Sequence, residues 1–242
     1  MVNRGRIGFM AVYHATEARR ERWSVFETAR RLVAQGHTVL VGARDAARGK
    51  EAADKLGATF VQLDVTDDRS VAAAAATIEK LHGRLDVLVN NAGITGRQVA
   101  PGDTTADDLR AVYETNVFGM ARVTHAMLPL LKKSNAPVIV NVASGLGSLA
   151  TVHDTSRIES KVVALGYCSS KSAVVMMTVQ YAKALPEMRI NVVDPGYTAT
   201  DLNHHSGPQT VEEGTNAIVR LATIGKEGPT GTFQDDAGTM PW

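Results

Sequence analysis

The feature that most constrains the fold is an alternation along the chain. Short apolar runs rich in β-branched residues occur at "HTVLVGA" (37–43), "ATFVQLD" (58–64), "LDVLVNNAG" (85–93), "APVIVNVAS" (136–144) and "RINVVDPG" (189–196). They lack the polar alternation of half-exposed strands, which fits parallel strands covered on both faces. Longer segments with helical spacing separate them: "DAARGKEAADKLG", "DDRSVAAAAATIEKLHG", "TADDLRAVYETNVFGMARVTHAMLPLLKK" and "YCSSKSAVVMMTVQYAKAL". Gly57, Gly83 and Asn135 stand near helix ends, where left-handed caps are expected. Strand–helix alternation of this kind predicts an α/β fold. Its sheet is open, doubly wound and parallel, with right-handed crossovers and helices on both faces. In such sheets ligands bind beyond the carboxyl ends of the strands, so the residues just after each run are the ones to inspect.

The 242 residues suit one domain spanning 1–242, with 1–25 as an atypical first strand and phosphate loop. A net charge of +1 gives no electrostatic case for nucleic acid or an anionic membrane. The chain has no apolar run long enough to span a bilayer, and its basic start lacks the apolar core of a signal peptide. The single cysteine, Cys168, excludes an internal disulfide and suits a reducing cytoplasm.

"LGYCSSKSAV" holds Tyr167 and Lys171 on one face of a helix start. A free tyrosine, with a pKa of about 10, is a poor acid–base catalyst near neutral pH. A neighbouring ammonium favours its phenolate. Alone, such a pair reads as exposed and without a task. Its context changes that reading. Ser144 closes a strand in "VNVASGLG", placed to hydrogen-bond a carbonyl oxygen while Tyr167 donates a proton. Asn116 sits inside the helical "YETNVFG", an unfavourable place for an amide without a partner. The structural alternatives are a strand-end turn former for Ser144 and a patch satisfying backbone groups for Asn116.

With "NNAG" after the fourth strand and "PGYTAT" after the sixth, these residues resemble the short-chain dehydrogenase/reductase family over 26–242. The tail "GPTGTFQDDAGTMPW" is similar to that of the carbonyl-reductase-like branch. The resemblance implies a Rossmann-like fold and hydride transfer between a nicotinamide and a small carbonyl or alcohol substrate. Tyr167 would be the general acid/base. Lys171 would lower its pKa and hold the nicotinamide ribose. Ser144 would orient the substrate oxygen, and Asn116 would hold a water relaying protons to Lys171. Asn91, Ala92 and Gly93 would run beside the adenosine ribose. Pro195, Gly196 and Thr198 would meet the carboxamide, with Thr200 near the phosphates. Asp64 resembles the family's adenine-contacting acid; as a helix cap it would compete with Asp67. Monomer and homo-oligomer both stay open.

Cofactor choice is legible after the second strand. "VGARD" offers Arg44, a planar donor suited to a 2′-phosphate. Asp45 reads as the start of the next helix, where an acid suits the dipole. NADP is therefore expected, with NAD as the alternative.

The family's TGxxxGxG turn between first strand and first helix is missing. "NRGRIGF" (3–9) echoes its second half, but no strand fits before it. The best fit makes Ile7–Tyr13 the first strand and Ser24 an N-cap, with "SVFE" as a capping box. The loop becomes "HATEARRERWS" (14–24), glycine-free, with Arg19, Arg20 and Arg22 and the bulk of Trp23. Arginines grip phosphates but do not reproduce close backbone contact. This predicts weakened cofactor binding, and a second reading as a catalytically weak or inactive reductase-like scaffold or nucleotide sensor. Read back into codons, Ala18–Ser24 in a frame shifted by one nucleotide permits Gly-Ala-Asn-Gly-Gly. Resequencing the gene and weighing the intact protein test for a frameshift there.

Between Ser144 and Tyr167 the chain is about ten residues longer than the family's common spacing. Such an extension shapes the substrate pocket, impedes a dimer, or is a tolerated surface insertion. His204 and His205 have no third ligand at metal spacing, so no metal is expected. Cys168, about a hundred degrees round the helix from Tyr167, reads as packing rather than nucleophile. Met176 and Met177 fit a buried helix.

Overall fold

The computed structural model describes residues 5–11, 22–198, 207 and 209–242. Its strands are β1 (Ile7–Ala11), β2 (Thr38–Ala43), β3 (Thr59–Gln62), β4 (Val87–Asn90), β5 (Val138–Val142), β6 (Arg189–Val193) and β7 (Phe233–Gln234). They form one parallel sheet in the order β3-β2-β1-β4-β5-β6-β7. The helices are α1 (Arg22–Ala34), α2 (Ala46–Leu56), α3 (Asp68–His82), α4 (Ala106–Tyr113), α5 (Met120–Leu131), α6 (Leu149–His153), α7 (Leu165–Ala184) and α8 (Val211–Ala222). The order reverses direction between β1 and β4, which opens a crevice at their carboxyl ends.

The continuous apolar runs arise because each strand buries both faces. On one face Leu40, Phe9, Leu88, Ile139 and Ile190 stand side by side in register across five strands, each 0% exposed. They pack with Val71, Ala74 and Ile78 of α3 and Val123 and Met127 of α5. On the other face Val39, Val41, Val87, Val89, Val138 and Val140 meet Val25, Ala29 and Leu32 of α1 and Ile218 and Leu221 of α8. Each such side chain contributes about 1.5–3 kcal/mol when fully buried.

Gly57 and Gly83 end α2 and α3 with φ of 64° and 70°, the left-handed caps expected of them. β1 is described for Ile7–Ala11, and residues 12 and 13 of the expected first strand lie outside the described part. Two other boundaries differ from expectation. α1 starts at Arg22, so Ser24 sits within the first turn and is not the N-cap. A cap needs non-helical backbone, and Arg22, a good helix former, extends the helix past it. The long 105–133 segment is not one α-helix. Between α4 and α5 the turn Glu114–Gly119 widens to π geometry. β7 and α8 complete the fold beyond the elements read from sequence.

At the amino ends of the strands, opposite the crevice, Arg6 is buried and ties four carbonyls: Ala222, Ile224, Asp86 and Ala136. Asp86 accepts from the Ile7 N–H at 2.9 Å and from Ser134. Burial opposes its charge, but these bonds with Arg84 and Arg6 hold its carboxyl below the ordinary carboxylate range. His37, also buried, has no hydrogen-bond partner on either ring nitrogen. Burial, then the Arg6 charge, lowers its pKa. Between the lowered folded value and about 6.5 the unfolded chain binds more protons, so stability falls as pH drops below about 6.5. His37→Phe is expected to flatten the melting-temperature-versus-pH curve in that range. An unchanged slope would show that other groups set it.

Candidate active site

The carboxyl ends of β4, β5 and β6 release the chain side by side, and α7 begins over them. Asn90 and Asn141 are paired in register, and the Asn90 amide donates to the Asn141 carboxamide oxygen at 2.8 Å. Asn141 in turn donates to Thr178 Oγ1 of α7 at 2.9 Å, and Asn90 to Thr124 Oγ1 of α5 at 3.0 Å. All four are buried, so this polar seam locks α5 and α7 onto the strand ends.

Lys171 is only 4% exposed, which excludes the reading of an idle surface pair. Its Nζ donates to the Val142 carbonyl at 2.9 Å and lies 5.6 Å from the centre of the half-buried Tyr167 ring. Asn116 lies in the π turn, 2% exposed. Its Oδ1 accepts from the Ile94 N–H at 2.8 Å, and its Nδ2 donates to the Ile94 carbonyl at 2.9 Å and to Ser170 Oγ at 2.9 Å. The amide thus does satisfy backbone groups, and it pins the chain after β4 to α7. The widened turn is what aims a mid-helix side chain at that segment. Gly93 lies between the two: a Cβ there would sit 3.3 Å from Lys171 Nζ and 3.5 Å from Asn116 Oδ1.

Ser144 has extended backbone (φ −170°), and its Oγ accepts from the Leu146 N–H at 3.2 Å. It is therefore a turn former, capping the tight turn Gly145–Gly147, which rests on α7. A Cβ on Gly147 would fall 2.7 Å from the Lys171 carbonyl carbon. Accepting with one lone pair leaves the hydroxyl able to donate. Cys168 is half-buried, and burial pushes its thiol up, the opposite of an activated nucleophile.

At the carboxyl ends of β2, β3 and β4 stand Arg44, Asp64, Asn91 and Ala92, all half-buried. Asp45 caps α2, accepting from the Arg48 N–H at 3.0 Å, so its carboxylate is engaged by the helix. Asp64 does not cap α3; Asp67 does. Asp64 instead braces the turn after β3, accepting from Thr66 N–H at 2.9 Å and Oγ1 at 2.7 Å. After β6, Gly196 takes a left-handed φ of 71°, which lets the chain reverse. Thr198 is buried, its hydroxyl donating to the Pro195 carbonyl at 3.0 Å. Thr200, Arg19, Arg20, His204 and His205 lie outside the described residues. Among the described residues no group of three or more His, Cys, Asp or Glu is placed to hold a metal ion. No described helix is long and apolar enough to cross a membrane.

The long segment after Ser144 forms α6 and binds the C-terminal tail. Ser148 Oγ donates to the Pro241 carbonyl at 2.9 Å, and the Ala150 N–H to the Trp242 carbonyl at 3.0 Å. Sequence reasoning missed Ser170, the Asn90–Asn141 seam and buried Asp194. The doubled Asn at the end of "VLVNN" and the acid in "VDPG" were the available signals.

The family pattern of the short chain dehydrogenases matches residues 26–210. The chain belongs to this family. The match begins after the altered N-terminal stretch. A short-chain dehydrogenase of Penicillium roqueforti (strain FM164) is 38% identical over 229 residues, covering 89% of this chain and 90% of that one. A (+)-neomenthol dehydrogenase of Capsicum annuum is 31% identical over 284 residues, covering 86% and 90%. Among solved structures, the NADPH-bound carbonyl reductase from chicken fatty liver superposes with a TM-score of 0.83 at 26% identity, covering 99% and 100%. Membership makes the chain one of a family of oxidoreductases that use nicotinamide cofactors on small molecules.

Proposed function

We propose that the chain is an NADPH-dependent oxidoreductase that moves a hydride between nicotinamide and a carbonyl or alcohol substrate, with Tyr167 as general acid/base. The observation that carries this reading is the buried Lys171 ammonium, fixed by the Val142 carbonyl beside the Tyr167 ring. The residues fit a dinucleotide at the nicotinamide end. Gly93 has no Cβ to crowd Lys171, and Gly196 takes a left-handed φ of 71° in the turn after β6.

The cofactor supplies the hydride when bound. Tyr167 gives its proton to the carbonyl oxygen in reduction and takes it back in oxidation. The Lys171 charge stabilises the phenolate so formed and holds the nicotinamide ribose. Ser144 orients the substrate oxygen through its O–H. Asn116 holds a water that passes protons on to Lys171. Asn91, Ala92 and Gly93 run beside the adenosine ribose, and Asp64 meets the adenine. Pro195, Gly196 and Thr198 face the carboxamide, with Thr200 near the phosphates. Exposed Ile158, Val162 and Val163 of the 145–166 segment supply an apolar pocket wall.

The test is a fluorescence titration with NADPH, then NADPH consumption across a panel of aldehydes and ketones. Saturable binding without consumption of cofactor by any of them would refute the enzyme. Arg44 supports NADP, because its acidic neighbour is engaged by α2. Arg44→Ala is expected to weaken NADPH binding by about 1.5–3 kcal/mol, roughly ten- to a hundredfold, and NADH binding by less than about twofold. Equal losses for both would favour NAD.

One observation favours the second reading, a weak or inactive scaffold or nucleotide sensor: residues 9–35 contain no glycine. No saturation by millimolar NADPH would decide for the inactive scaffold.

A further inference from the structure

Asp194 closes β6 one residue before the turn that faces the carboxamide in the proposed function, on which this inference rests. It is 6% exposed. Its Oδ1 accepts from the Gly196 N–H at 2.9 Å, and the backbone N–H of Gly145 also donates toward its carboxylate. Gly145 directly follows Ser144. A Cβ built on Gly145 would fall 2.9 Å from Asp194 Oδ2 and 2.7 Å from Glu159 Oε1. One carboxyl group therefore touches both turns of the crevice, Oδ2 against the turn after Ser144 and Oδ1 against the turn after Pro195. The backbone on either side is fixed as well: Ala143 N–H donates to the Val193 carbonyl at 2.8 Å, and Asp194 N–H to the Gln234 carbonyl at 2.8 Å.

We propose that Asp194 is a positioning residue for the reaction: its carboxyl group holds the Ser144 turn in register with the Pro195–Gly196 turn, so that the Ser144 hydroxyl meets the substrate oxygen. A carboxylic acid is an unusual group to bury for packing alone, since burial without compensation is costly. The groups facing it are Glu159, Asp235 and Arg157. Arg157 pairs with Glu159 at 2.9 Å, so the Asp194 carboxyl is compensated chiefly by the two backbone N–H groups. Burial pushes its pKa above the ordinary range, with Glu159 and Asp235 adding to the shift and the two N–H bonds opposing it. The hydrogen bonds are to the two turns on which the proposed chemistry depends, and that is what separates a positioning role from a buried acid that is merely tolerated.

Asp194→Asn tests this. The amide oxygen keeps the Gly196 bond, while an NH₂ in place of Oδ2 meets the Gly145 N–H donor to donor. The expected result is a split: turnover at saturating NADPH falls about tenfold, while the NADPH dissociation constant stays within about twofold. In a Ser144→Ala background the same substitution is expected to cost less than about twofold, because the group it positions is gone. Equal factors in both backgrounds, or parallel loss of binding and turnover, would overturn the proposal and leave Asp194 a structural residue. Ser144→Ala with full activity would bring down the functional reading together with this one. A slow Ser144→Ala with additive Asp194→Asn would bring down this one alone. If Asp194→Asn fails to fold, Gly145→Ala strains the same contact from the other turn, and the same split and the same coupling to Ser144 are expected.

Discussion

Tyr167→Phe is expected to reduce turnover by a factor of roughly a hundred to ten thousand, while the NADPH dissociation constant changes by less than about threefold. In activation terms the loss is about 3–5.5 kcal/mol. The substitution removes one oxygen and keeps the ring. Lys171 Nζ is fixed by the Val142 carbonyl as well as by its place near that ring, so the ammonium should not move when the hydroxyl goes. The affinity and the chemistry are thus separable at this position, which they are not at Lys171 itself. Removing Lys171 would take a donor from a buried carbonyl and withdraw the proposed ribose contact together. The neighbouring Cys168→Ala supplies the control: its thiol is half-buried and raised in pKa, and activity should be unchanged. Steady-state kinetics with a saturating carbonyl substrate measures both variants. A Tyr167→Phe protein that turns over at the parent rate would end the assignment of Tyr167 as the acid.

The parts of this site that could be read from sequence are those whose chemistry is local. The apolar runs announced strands buried on both faces because each strand carries its own pattern, and Tyr167 and Lys171 could be paired because helical spacing puts them on one face. The strand ends then followed from the topology. What escaped reading depends on residues far apart in the chain. The π turn at Glu114–Gly119 exists where Asn116 meets Ile94 and Ser170, and nothing in "YETNVFG" marks a helix that widens. Asp194 gains its meaning from Gly145, which is close only after β5 and β6 pair. The N-terminus of α1 shows the reverse failure. Ser24 and Glu27 spell a cap, yet the helix already runs from Arg22, a good helix former two residues earlier, so Ser24 has helical backbone and cannot cap.

Cofactor affinity is where the departure from the family should be felt most. A glycine-rich turn lets backbone N–H groups come close to a pyrophosphate, and at least a few charge-assisted bonds depend on that approach. Here residues 9–35 offer no glycine, and the one in the first strand, Gly8, packs beside Val87 and not at the strand's exit. Loss of those bonds is worth roughly 2–4 kcal/mol, or about thirty- to a thousandfold in the dissociation constant. Replacing residues 14–21 with a glycine-rich turn is therefore expected to tighten NADPH binding by that factor. Turnover at saturating cofactor should scarcely change, because Ser144, Tyr167 and Lys171 are held by β5, the Gly145–Gly147 turn and α7. The arginines at 19, 20 and 22 add a second signature. If they supply the phosphate attraction, binding by the parent chain should weaken with added salt more steeply than binding by the glycine-bearing one. Titration of both proteins at low and high ionic strength measures the two effects together. Equal affinities would mean that close backbone approach is not needed here, and that the arginine-bearing stretch is a working substitute for the turn it replaces.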